Sequence, residues 1–214
     1  MKDFHVAAAL TAENGSIAAA LLAYFALFFL AAFLWPTWRL WKRDGTKALV
    51  LPRDDSTQGA VGRWFRLTLL AIPAVLVPVA LGVPLEMAGR LGWLEREILH
   101  TAGWAFLALS LVWVVVAQAQ MGASWRIGID SAAQPPLVRS GLFSLSRNPI
   151  FLGMRLALLG LFLALPAGLT LTILALGEVL MQVQVRLEEA HLSQALGREY
   201  EAYRASTRRW LLGT

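Results

Sequence analysis

Apolar residues in this chain fall into long charge-free runs separated by short polar connections. Asn14 to Trp38 holds no charged residue across 25 positions. Roughly 20 apolar residues in a helix cross a bilayer core, so this run predicts a first span. It is not a cleavable signal peptide: the apolar core is too long, its front is not basic, and no small-residue cleavage site follows. Leu67 to Leu85 is a second run, of 19 residues, interrupted by Pro73, Pro78 and Pro84. Membrane helices tolerate such prolines better than soluble ones do. Ile98 to Trp125 is a third run, with only His100 near its start.

The fourth apolar region, Pro149 to Val185, contains Arg155 and Glu178 and is too long for one straight span. Pro166-Ala167-Gly168 at its middle is a turn signal. The pattern predicts a tight helical hairpin over 149–186. A single span from Leu156 to Gly177 is the rival, and it would put the two most polar motifs on opposite membrane faces.

Composition agrees with the runs. Hydrophobic residues make up 57% of the 214 and charged residues 15%, against about a quarter charged in soluble domains. This excludes a disordered chain, a basic nucleic-acid-binding domain and an ordinary soluble enzyme. Charge then sets topology. With five spans, the segments 36–66, 121–155 and 186–214 share one side and hold 16 of the 19 basic residues. Trp35, Trp38, Trp41, Trp64 and Trp125 cluster at the same boundary, where tryptophan is favoured. The expected fold is all-α: an integral membrane bundle of about five transmembrane helices, N-terminus outside, C-terminus cytoplasmic, the last two helices a tight hairpin. The stretch 44–62 reads as an exposed cytoplasmic loop. The site of action is the membrane, in a bacterial setting the inner membrane.

Polar residues concentrate in the second half, in three patches that five spans place on the cytoplasmic side. The first is Gly122 to Gly128, the second Leu137 to Gly153, the third Arg186 to Leu192 with the tail that follows to Leu211. In a helix, Glu189, Leu192, Leu196, Tyr200 and Tyr203 share one face. A carboxylate among aromatic rings suits a cationic ligand; a solvated juxtamembrane helix with its own ion pairs is the alternative. Gly197 is placed to break or cap this helix. Arg147-Asn148-Pro149 reads as a helix start, since proline is favoured in the first turn. Such a start, with Arg147 beside it, favours an anion such as a carboxylate; a plain helix start with an interfacial arginine reads equally well. Glu178 lies within a span, where a charge costs roughly 2.5–3.5 kcal/mol. It reads as a substrate contact, as a partner for Arg155, or as a residue turned into the bundle.

Other chemistries lack their residues. There are no cysteines, hence no disulfide or thiolate. His5, His100 and His191 are scattered, and Glu188-x-x-His191 has no second copy to complete a di-metal site, so no metal is expected. No glycine-rich dinucleotide fingerprint or phosphate loop is present.

Taken together, the second and third patches and the tail read VRSGLFSLSRNPIFLG (138–153), RLEEAHL (186–192) and LGREYEAYRASTRRW (196–210). In order and spacing they resemble the isoprenylcysteine carboxyl methyltransferase family, in its prokaryotic membrane branch, with phospholipid N-methyltransferases as more distant relatives. The SWRIG patch (124–128) looks like prokaryotic members too. The resemblance covers about 120–212. It implies a division into N-terminal membrane helices, 1–119, and a catalytic region, 120–214. It also implies S-adenosylmethionine-dependent methyl transfer to a lipophilic acceptor, whether small molecule, lipid or prenylated chain, at the cytoplasmic face, with no nucleic-acid partner. Carried over by position, Gly141, Arg147, Asn148, Pro149, Phe151, Glu188, Glu189, Leu192, Tyr200 and Tyr203 would bind the cofactor. Arg186, Glu189 and Arg209 would be catalytic, the arginines as candidates for holding an acceptor carboxylate. The chain departs from the family where Gly-Pro-Tyr is Gly141-Leu142-Phe143, Arg-Tyr-Val is Ser144-Leu145-Ser146, and a tyrosine is Phe151. These changes remove hydroxyls and one positive charge. Two alternatives stand beside this reading: an NADPH-dependent membrane reductase of the steroid or sterol type, with Arg139, Arg198 and Arg208 available to a 2′-phosphate, and a non-catalytic scaffold or lipid binder.

Overall fold

The computed structural model describes residues 2–45, 56–122 and 136–211, without the side chains of residues 2–4, 6, 7 and 44. It is helical, and its elements are α1 (Lys2–Phe29), a π-helical turn (Leu30–Leu34), α2 (Trp35–Asp44), α3 (Thr57–Ala80), α4 (Glu97–Met121), α5 (Leu142–Leu145), α6 (Pro149–Ala164), α7 (Gly168–Leu196) and α8 (Arg198–Ser206). Four helical stretches are long and apolar enough to cross a membrane: Ala8–Arg43, Thr57–Ala80, Glu97–Met121 and Gly168–Leu196. The fifth, α6, has 16 residues, about 24 Å at the helical rise, short of a ~30 Å hydrocarbon core.

Several boundaries differ from the pattern reading. The first span continues as helix to Asp44, because nothing interrupts its hydrogen bonding except Pro36. A proline at 36 cannot donate to the carbonyl of residue 32 and crowds it. The helix widens there into the π turn, and the Gln118 side-chain amide of α4 takes up the Ala32 carbonyl. The second span begins and ends earlier than 67–85: α3 starts at Thr57, capped by Ser56 Oγ accepting from Gly59 N–H at 3.1 Å, and stops at Ala80. Residues 57–62 are therefore helix, not loop. The third run ends at Met121; Trp125 and the SWRIG patch lie outside the described residues.

The core is built from helix stripes, with spacings of three and four in α1 and α3. α1 contributes Ala18, Leu21, Phe25, Phe28 and the π turn Ala32; α3 contributes Ile72, Leu76 and Val79; α4 contributes Leu107 and Val114; α6 contributes Ala157, Leu158, Leu161 and Ala164. The outward positions are also apolar, as in Leu27, Leu70, Val112 and Val179, which is how a helix reads when lipid is its solvent. α4 lies along α6 at backbone contact. A methyl added at Gly103 would sit 2.7 Å from the Ala164 nitrogen and one at Gly160 2.8 Å from the Gly103 oxygen; small residues permit this approach.

The α6–α7 turn falls at Pro166–Ala167, as the turn signal predicts. It is pinned to the connection between α3 and α4: Leu91 N–H donates to Pro166 O at 2.9 Å and Gly168 N–H to Gly89 O at 2.8 Å. That connection marks one end of the bundle. The start of α6, the end of α4, α2 and the end of α7 gather at the other.

Candidate functional site

At that second end, Pro149 opens α6 and Gly197 closes α7. The break at Gly197 (φ 51°) corrects the single-face reading: Tyr200 and Tyr203 belong to α8, which turns back beneath the end of α7. They approach Glu189 through this fold and not through helical register. Tyr203 is buried and its hydroxyl donates to Phe143 O at 2.6 Å, tying α8 to α5.

Glu189 is the centre of the cluster, its side chain 8% exposed. Arg147 donates to both carboxylate oxygens at 3.2 Å. Asn148 Nδ2 donates to Oε1 at 3.0 Å. Arg209 donates from Nη2 to Oε2 at 2.7 Å and from Nε at 3.1 Å. The anion favoured by the Arg147-Asn148-Pro149 start is thus the chain's own glutamate. Two guanidinium groups share one carboxylate, so the cluster carries one positive charge in excess. This revises the picture of Glu189 as an unengaged anion awaiting a cation.

The tail is held as firmly. Arg147 N–H donates to Arg208 O at 2.9 Å, Arg147 Nη1 to Thr207 O at 2.6 Å, and Ser146 Oγ to Arg209 O at 2.8 Å. Ser146 has no binding role in the sequence reading, and Thr207 and the carbonyl of Arg208 are not singled out there; the acceptors here are backbone carbonyls, which leave no residue-type signal.

Tyr200 is 1% exposed, and its hydroxyl has no hydrogen-bond partner among the described residues. Burial pushes both hydroxyls up, Tyr203 to about 12 and Tyr200 further. The hydrogen bonds to Glu189 raise Arg209. Glu188 receives Gln184 Nε2 at 2.8 Å on Oε1; its Oε2 takes no hydrogen bond from the described residues. Leu192 and Phe151 are half-buried on α7 and α6. Gly141 is exposed with φ 64°, and an added methyl would strike the Gln120 side chain, which accepts Leu142 N–H at 2.8 Å.

Arg186 is not brought into this cluster. It is exposed and donates to Gln182 O at 2.7 Å. Arg155 and Glu178 are partners, Nε to Oε2 at 2.6 Å, and the Arg155 guanidinium lies 4.5 Å from the Trp210 ring centroid.

Residues 98–199, just under half of the chain, match the family model described as phospholipid methyltransferase. This stretch is similar to that family, which lies among the isoprenylcysteine carboxyl methyltransferase-like membrane methyltransferases. No curated protein and no solved structure gives a significant match. The phospholipid methyltransferase stretch runs from the first turn of α4 to the first turn of α8. It includes Arg147, Asn148, Glu188 and Glu189 and stops before Tyr200, Tyr203 and Arg209.

Proposed function

We propose that this membrane methyltransferase uses S-adenosylmethionine to methylate a lipophilic acceptor at the cytoplasmic membrane face, with residues 120–214 as the catalytic region and 1–119 as its membrane scaffold. The observation that carries the reading is the buried Arg147–Glu189–Arg209 cluster lying beside the buried Tyr200 hydroxyl, which has no partner among the described residues, within and just beyond the phospholipid methyltransferase match.

These residues suit the cofactor. The excess positive charge of the cluster offers a place for a carboxylate, and charge-assisted bonds to guanidinium are strong. The Tyr200 hydroxyl has a donor and lone pairs to give, and a buried polar group without a partner costs about 1–3 kcal/mol. Glu188, with one oxygen free, is the carboxylate left to face a sulfonium. Gly141, Asn148, Pro149, Phe151, Leu192 and Tyr203 complete the proposed surround. Bound there, S-adenosylmethionine supplies an electrophilic methyl carbon. The protein's own contribution is positioning and preorganised charge: Glu189 keeps Arg147 and Arg209 fixed, and the tail keeps water from them. Arg209 faces the acceptor in this reading; Arg186, exposed on α7 and bonded to Gln182, would have to reach an acceptor arriving along that helix.

The test is calorimetric titration of the purified full chain with S-adenosylmethionine and, separately, NADPH. S-adenosylmethionine is expected to bind in the micromolar range. Tyr200→Phe removes only the hydroxyl and is expected to weaken binding about 2- to 10-fold, the range of one hydrogen bond, with no loss of thermal stability. Binding of NADPH instead, or of neither by folded protein, overturns the proposal.

A further inference from the structure

Methyl transfer makes no use of α2, whose outward face combines aromatic rings with cations. One stripe holds this helix. Leu40 is buried against Phe33, Met121 at the end of α4 and Ile150 in the first turn of α6. The other positions face out: Trp35, Trp38 and Trp41 are 56%, 45% and 59% exposed, and Arg39, Lys42 and Arg43 are exposed with them. The Trp35 and Trp38 rings are 5.1 Å apart, and Lys42 Nζ stands 5.0 Å from the Trp38 ring centroid. Nearby in the chain, α3 opens with Arg63, an exposed Trp64 and Arg66.

Depth follows from length and residue type. The helical stretch Ala8–Arg43 has 36 residues, about 54 Å at 1.5 Å each, against a hydrocarbon core of ~30 Å. Its last turns must leave the core. Tryptophan settles at the headgroup boundary, so Trp35, Trp38 and Trp41 put Arg39, Lys42 and Arg43 at the level of lipid phosphates. The balance of charge there is one-sided: residues 36–45 and 56–66 hold five basic residues and one acidic, an excess of four in a chain whose net charge is +5.

We propose that α2, with the opening turns of α3, is a collar that binds anionic phospholipid headgroups of the surrounding leaflet. Guanidinium groups pair with phosphate oxygens, and the net positive charge selects net-negative headgroups over zwitterionic ones. The exposed tryptophans make the occupant a lipid and not a soluble anion. Through Leu40 and Ile150 the bound lipid bears on the first turn of α6, next to Asn148. The inference does not depend on the chemistry at Glu189.

The experiment uses the full chain in nanodiscs of phosphatidylcholine with a minor fraction of phosphatidylglycerol. Lipids retained after mild detergent release are counted by native mass spectrometry. Phosphatidylglycerol is expected to be enriched over its bulk fraction. The triple variant R39Q/K42Q/R43Q loses that enrichment by about fivefold for each cation removed, the equivalent of roughly 1 kcal/mol per cation near the surface. Lys42→Gln alone loses less, in the same direction, and Arg96→Gln, at the opposite end of the bundle, changes nothing. Equal retention of the two lipids by the unmodified protein, or enrichment that survives the triple variant with its unfolding temperature unchanged, overturns the proposal.

Discussion

A carboxylate buried between two guanidinium groups is held only while its partners are present, and removing one member of such a set leaves charge stranded. Glu189→Ala would strand Arg147, whose side chain is 7% exposed, and is expected to destabilise the protein by roughly 3–5 kcal/mol. Arg186→Ala, at an exposed position on the same helix, is expected to stay within about 0.5 kcal/mol. Thermal unfolding of the two variants checks the contrast. Tyr203 sets an alkaline limit. Its folded pKa is pushed to about 12 from an ordinary value of 10.0, so the folded state keeps its proton where the unfolded chain loses it, and stability falls as pH rises from 10 through 12. Tyr203→Phe is expected to flatten that fall in an unfolding series across the same window. The residues of this cluster were legible in the sequence: Arg147, Asn148, Glu189 and Arg209 all stood out by type and position. Their mutual pairing was not, because 42 residues separate Arg147 from Glu189, and each motif by itself invites an outside ion.

Among the elements, α4 and α6 meet backbone to backbone at Gly103 and Gly160. Gly103→Ala would drive a methyl against the Ala164 backbone, which cannot swing away as a side chain would. Separating the two helices is expected to cost about 1–3 kcal/mol, read as a lowered unfolding temperature. Gly92→Ala, with no atom within 4 Å of the added carbon, serves as the control and is expected to leave it unchanged. Here the pattern of apolar runs read the hairpin well, since Pro166 and Gly168 interrupt an unbroken stretch. It misjudged α3, because amphipathic turns carrying Arg63 and Arg66 do not register as span when charge-free length is the criterion. The grouping of Glu189 with the tyrosines came out right in space through a helix break that periodicity alone would have ignored.

At the scale of the molecule, the two ends of the bundle differ in charge, and the cluster, the collar and the tail share one of them. We propose that the end carrying the basic excess of the segments 36–66, 121–155 and 186–214 faces the cytoplasm. The chain contains no cysteine, so a single introduced thiol reports its side without background. Cysteine at Arg198 is expected to react with an impermeant maleimide only after the cytoplasmic face is opened, and cysteine at Arg96 on intact cells or spheroplasts. The reverse pattern would invert the topology. The charge asymmetry itself was legible in the sequence, because it survives any error in helix boundaries.

Order of synthesis adds one more consequence. Ser146 and the Arg209 carbonyl that it binds are 63 residues apart in the chain. When α6 and α7 enter the bilayer, Arg147 and Glu189 are already made and the arginine that completes their cluster is still within the ribosome. A nascent chain stalled before Thr207 therefore carries an insertable bundle with an open and unfinished site. The tail closes that site last, so only a protein translated through residue 209 can acquire its buried charge cluster.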